Sequence, residues 1–171
     1  MLAIQVTKKL KDKLKVETQA DGLDEISPLF SWHAHLFLYK RKNYVIVMNN
    51  QSRYNFFLGS LVKKDFMNFD ALITEGIREN LLADEFDERD VDIYMQQCDS
   101  VDYAPTSLRP IIGQMNDSIK ITKLGWEFDG LEPADIDLKA LNRKTNEVPF
   151  LSLPETYSLD AMKKAMKTLK D

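Results

Sequence analysis

Between Ser31 and Leu58 the chain carries three runs rich in Val, Ile, Phe, Tyr and Trp: Ser31 to Tyr39, Asn43 to Met48 and Arg53 to Leu58. Only Lys40-Arg41-Lys42 and Asn49-Asn50-Gln51-Ser52 separate them, lengths that suit hairpin loops. The segment therefore predicts an antiparallel meander, and the rest of the fold has to be arranged around it. Upstream, Leu2, Ile4 and Val6 alternate with Ala3 and Gln5 as a short strand does. The Lys-rich stretch from Thr7 to Lys15 has Leu10 and Leu14 at helical spacing and predicts a short helix. Glu17 to Pro28, with Asp21, Gly22, Asp24 and Ser27, predicts a surface loop.

From Phe69 the apolar period lengthens. Phe69, Leu72, Ile73, Gly76, Ile77 and Leu81 fall at i, i+3, i+4 and i+7, an amphipathic helix that Asn68 or Asp65 could cap. Asp87 is placed to cap a second helix, whose stripe is Val91, Tyr94, Met95 and Cys98, so Cys98 belongs to the core. Val101 and Tyr103 flank Asp102 in a further strand. Pro105, Thr106 and Ser107 then open a helix with Pro110 in its first turn and Leu108, Ile111, Ile112, Met115 and Ile119 facing inward. The stretch from Glu132 to Pro154 holds Pro133, Pro149 and Pro154 and a short helix around Ile136 to Leu141, and it wraps the molecule rather than starting a second core. A last helix starts at Ser158. Runs of strands followed by runs of helices predict an α+β domain spanning residues 1–171: an antiparallel sheet of four to five strands with helices packed mainly on one face.

Composition narrows the function. A lone Cys98 in 171 residues excludes an internal disulfide framework and a cysteine-based zinc site, which suits a reducing, cytoplasmic setting. With 23 basic against 27 acidic side chains the net charge is −4, so nucleic acid is not the expected partner. The longest apolar stretches are strand-sized, and the amino terminus lacks the charged start and long apolar centre of an export signal, so no membrane association is expected. No glycine-rich nucleotide loop, serine nucleophile elbow or paired helical histidines occur, and no cofactor is expected.

Three groups of residues could carry chemistry. His33 and His35, two apart on a strand, project from one face and could share a metal ion if a third ligand came from a distant carboxylate or from Cys98; otherwise they are half-buried packing residues. His33 alone could act as a general base, although no partner for it is identifiable. Arg109, Gly113, Asn116 and Lys120 recur at i, i+4, i+7 and i+11, a polar stripe in which Gly113 would let a ligand come close while Arg109 and Asn116 hold a phosphate or carboxylate. Alternatively Gly113 permits close packing of helix on sheet, and the two polar residues tie down a loop. Arg53, just after a turn, could point toward the His33 strand or be an ordinary edge charge. Lys40-Arg41-Lys42 and the lysines of residues 8–13 are read as solvated faces.

Taken together, Thr7-Lys8-Lys9-Leu10 after an opening strand, Ser31-Trp32-His33-Ala34 at a strand start, Asn50 to Arg53-Tyr54 at a hairpin, and Arg109 to Gly113 to Asn116-Asp117 resemble an uncharacterised bacterial domain family of unknown function, sometimes found beside a plasmid open-reading-frame domain. The resemblance extends over most of the chain, including Leu141-Asn142-Arg143 and the Pro154 region. It implies a small intracellular bacterial protein and brings no reaction with it. In the family's pattern an Asn is usual where His35 stands, which leaves His33 the better candidate of the two. The expectation is a binding or regulatory module for a protein or small anionic ligand. The alternatives are a hydrolase or phosphoryl-handling enzyme using His33 with Arg53 and Arg109, and a nucleic-acid-associated protein of a mobile element.

Overall fold

A computed structural model describes residues 1–19 and 23–170; Asp21 and Gly22 of the expected loop lie outside the described residues. In chain order the elements are β1 (Leu2–Val6), α1 (Lys8–Leu14), β2 (Ser31–Tyr39), β3 (Lys42–Asn49), β4 (Asn55–Leu61), α2 (Lys63–Met67), α3 (Phe69–Ala83), α4 (Glu88–Gln96), β5 (Val101–Pro105), α5 (Arg109–Phe128), α6 (Leu138–Lys144) and α7 (Ser158–Lys167). Short 3-10 turns at Leu23–Glu25 and Pro28–Phe30 lead into β2.

The strands form one sheet in the order β4-β3-β2-β1-β5. The meander is as expected, with β2, β3 and β4 antiparallel to one another. The sheet as a whole is mixed, because β1 pairs in parallel with β2 on one side and with β5 on the other. The expectation of an antiparallel sheet is corrected here. Its physical cause is the connections: α1 carries the chain from the end of β1 back to the level where β2 starts, and α2 to α4 do the same between β4 and β5. A central parallel strand is buried on both faces, and Leu2, Ala3, Ile4 and Val6 are all buried.

Period-two alternation splits the sheet into two apolar faces. On the first, Ile4, Trp32, Ala34, Val47 and Phe56 meet Leu10 of α1, Ile73 and Ile77 of α3, Tyr94 of α4 and Met162 of α7. On the second, Phe37, Tyr44, Ile46, Met48 and Phe57 meet Ile111, Met115 and Trp126 of α5, with Leu138 and Leu141 of α6 at the margin. Helices mainly on one face therefore understates the cover on the other. Leu108, expected inward, is exposed, and α5 begins one residue after it.

Local rules explain most boundaries. Asp87 accepts from the amides of Arg89 and Asp90 and caps α4 as expected, whereas the Asn68 side chain caps nothing and donates instead to Lys64 O. Asp65 accepts from Val62 N at the start of the short α2. In the first core a buried aromatic pair satisfies its polar atoms: Trp32 Nε1 donates to Tyr94 Oη at 3.0 Å, and Tyr94 donates in turn to Leu29 O at 2.7 Å. Cys98 is in the core, where burial pushes its thiol up to about 12.

The outer edge of β4 is closed by two side-chain amides. Asn142 accepts from Phe57 N at 2.8 Å and donates to Phe57 O at 3.0 Å. Asn146, one turn further on, does the same for Asn55, at 2.8 Å in each direction. Together they replace the neighbouring strand that an open edge would otherwise recruit.

Candidate functional site

At the β1–β5 side of the second face, beyond the end of α5, the sheet is left open. Ala3 and Gln5 of β1 and Ala104 of β5 form a floor there. Leu23, Ile26 and Pro28 wall one side, and Thr106, Ser107 and Leu108, leading from β5 into α5, wall the other. The enclosed volume is about 360 Å³, within the range of small-molecule sites. None of the described lining residues is ionised.

Three polar residues of the lining, Gln5, Asn50 and Ser107, join the buried His33 in a closed circuit in which each residue donates to the next. His33 Nδ1–H donates to Asn50 Oδ1 at 2.7 Å, and Asn50 Nδ2 donates to Gln5 Oε1 at 2.6 Å. Gln5 Nε2 donates to Ser107 Oγ at 2.7 Å, and Ser107 N–H donates back to His33 Nε2 at 3.4 Å. The only tautomer compatible with this direction is the neutral Nδ1–H form, because Asn50 offers its oxygen and Ser107 offers a proton. Burial drives the pKa of His33 below its usual 6.5, and the nearby Arg53 charge pushes it further down, while the Asn50 hydrogen bond works against both. From Ser107 N–H through the conjugated imidazole and the two amides to Ser107 Oγ, the hydrogen bonds all run in one direction and polarise one another.

Arg53 supports the circuit from behind. Held in the left-handed region at φ 64° at the β3–β4 turn, it donates through Nε to Gln114 Oε1 of α5 at 2.7 Å and through a terminal nitrogen to Asn50 O. Gln114 in turn donates to Ser152 Oγ at 3.2 Å. The Asn50 turn, the start of α5 and the 148–153 segment are thereby fastened together.

His33, Arg53 and Asn50 are thus brought into one network, and the other expected site residues are not. His35 contacts Thr7 Oγ1 through Nδ1 at 3.0 Å, and burial lowers its pKa, helped by Lys9 and opposed by hydrogen bonding from Asn116. Both Nδ1 atoms are therefore spent on internal contacts, and among the described residues no group of three His, Cys, Asp or Glu side chains could hold a metal ion. Arg109 and Gly113 lie on the exposed side of α5, Asn116 sits at its margin beside His35, and none of the three lines the cavity. A β-carbon added to Gly113 would meet nothing within 4 Å. Close helix-to-sheet packing is instead achieved at Gly76, where an added β-carbon would stand 2.9 Å from the Phe56 ring.

Gln5, Ser107 and the role of Asn50 were not singled out from sequence. The available signal was the lone amide of Gln5 between Ile4 and Val6, a polar residue in a strand otherwise filled with apolar ones.

A wider cleft of about 810 Å³ runs along the β4 edge between α3 and α6. Of its polar lining residues, Asn142 is engaged on Phe57, and Arg143 on Asp84 at 3.1 Å and on Asn80 at 2.6 Å, while Ser60, Glu79 and Lys139 also line it. No helix of the described residues is long and apolar enough to cross a membrane.

The mixed five-stranded sheet, with its imidazole–amide circuit beside an uncharged cavity, defines a small α+β domain with a preformed pocket. The chain belongs to the domain-of-unknown-function family DUF6933, whose model matches residues 3–159. The resemblance drawn from the sequence motifs was to a family of this kind. Comparison with curated proteins and with solved structures finds no match.

Proposed function

We propose that the protein is a binding module whose cavity takes a small uncharged ligand bearing hydrogen-bond donors and acceptors on one edge and an apolar flank. The observation that carries this reading is the circuit itself. It fixes Gln5, Asn50 and Ser107 in the lining without any ionised group. Among the described residues, one Asn50 amide hydrogen and the Ser107 hydroxyl proton have no partner and are available to a ligand. Leu23, Ile26, Pro28 and Leu108 supply the apolar flank. An anionic ligand is less well served, because Arg53 is spent on Gln114 and Asn50 and Arg109 lies outside the lining. The hydrolase alternative needs a base with a free lone pair, and the one on His33 Nε2 already accepts from Ser107 N–H.

Titration by calorimetry and amide NMR with uncharged amides, nucleobases and polyols, alongside carboxylates and phosphates, tests this. Saturable binding of an uncharged compound is expected, with shifts centred on Gln5, Asn50 and Thr106 to Leu108. Ser107→Ala should weaken it about fivefold to tenfold, the worth of one neutral hydrogen bond. Binding confined to anions, or indifferent to Ser107→Ala, would contradict the proposal.

A further inference from the structure

α5 is the longest helix, 20 residues, and only one side of it is used by the core. Ile111, Met115, Ile119 and Trp126 face the sheet, while Arg109, Gly113, Asp117, Lys120, Leu124 and Glu127 lie along the opposite side and are all exposed. Beside them Ile121 and Phe128 are 68% and 92% exposed, so with Leu124 the carboxy-terminal half of the helix sets three large apolar side chains in solvent among Lys120 and Glu127. Exposed apolar residues grouped on one face mark an interaction surface.

The order of residues on this face identifies what it fits. Read from the amino end it runs cation, empty space, anion: Arg109, Gly113, Asp117. Read on from the middle it runs cation, apolar knob, anion: Lys120, Leu124, Glu127. Turned end for end and laid against itself, the helix sets Arg109 opposite Glu127, Gly113 opposite Leu124 and Asp117 opposite Lys120, and each pairing occurs twice about a two-fold axis. The open space at Gly113, where an added β-carbon meets nothing within 4 Å, is the socket for Leu124 of the other copy. In a parallel arrangement in register, like charges would face one another instead. Self-complementarity of this kind is the requirement of an isologous two-fold interface.

We infer that this face of α5 is a homodimer interface, in which two copies pair their α5 helices antiparallel with Leu124 seated over the partner copy's Gly113. This surface is separate from the cavity and independent of what the cavity binds.

Sedimentation equilibrium with charge reversal tests it. The wild-type chain should show a reversible monomer–dimer equilibrium. Lys120→Asp places an acid opposite Asp117 at both symmetric positions and should raise the dissociation constant about tenfold or more. The double change Asp117→Lys with Lys120→Asp restores opposite charges and should bring it back to within about threefold of wild type. Both positions are exposed, and circular dichroism checks that the variants remain folded. A chain that stays monomeric at all concentrations, or a dimer that Lys120→Asp does not weaken or the double change does not restore, overturns the inference.

Discussion

Two glycines on two helices show how much depends on what lies beyond the missing β-carbon. Gly76 stands where α3 presses on β4, and a β-carbon added there would lie 2.9 Å from a ring carbon of the fully buried Phe56 and 3.3 Å from Leu58 Cδ2. Phe56, the nearer of the two, cannot move away without disturbing the core. Gly76→Ala should therefore destabilise, since overpacking of about 1–3 kcal/mol outweighs the helix-propensity gain of about 0.5–1 kcal/mol. Gly113→Ala, with open space beyond it, should keep that gain and stabilise the monomer by about 0.5–1 kcal/mol. Urea unfolding of the two variants under monomeric conditions checks both signs, and equal shifts would mean the packing account of Gly76 is wrong. From sequence, Gly113 drew attention because it interrupts a polar stripe, and Gly76 passed as one more member of an apolar one. Periodicity finds the face a glycine occupies, and only three-dimensional contact tells which glycine is required. The same limit applies to His33: its type was legible as chemical, but its partners come from β1, the β3–β4 turn and the β5–α5 connection, which no local pattern links.

At the scale of elements, the strands and most helices follow from alternation and period, and the capping of α4 by Asp87 was readable residue by residue. The closing of the β4 edge was not. Leu141-Asn142-Arg143 drew notice only as part of a family resemblance, and Asn142 with Asn146 looks like any pair of polar residues one turn apart. Their spacing matters because one helical turn, about 5.4 Å, approaches the two-residue repeat along a strand, so both amides can meet successive outward peptide groups of β4. Asn142→Leu leaves the N–H and C=O of Phe57 without their partners and should destabilise by about 1–3 kcal/mol. Hydrogen exchange at the Phe57 amide should accelerate more than at the inward-facing Phe56. Unchanged stability and exchange would show that the amide pairing does not hold the edge.

For the molecule as a whole, sequence order concealed the parallel pairings, because β1 and β5 are short and their partner strands lie far along the chain. What unites the fold with its proposed use is that imidazole, amide and hydroxyl groups from two strands and two connections close into one neutral circuit beside the cavity. That circuit has a pH signature. The folded pKa values of His33 and His35 both lie below 6.5, so the unfolded chain binds more protons over that interval. Stability should then be level above neutrality and fall as pH is lowered from about 6.5 toward the folded values, with a shallower fall in His33→Gln. The most direct test is the nitrogen-15 NMR spectrum of the His33 ring across that pH range. A neutral ring protonated at Nδ1 and bare at Nε2 is expected at pH 7, titrating only below 6.5. An imidazolium at neutral pH, or a ring protonated at Nε2, would break the circuit, place a chemically free histidine beside the cavity, and favour the hydrolase alternative over the binding module.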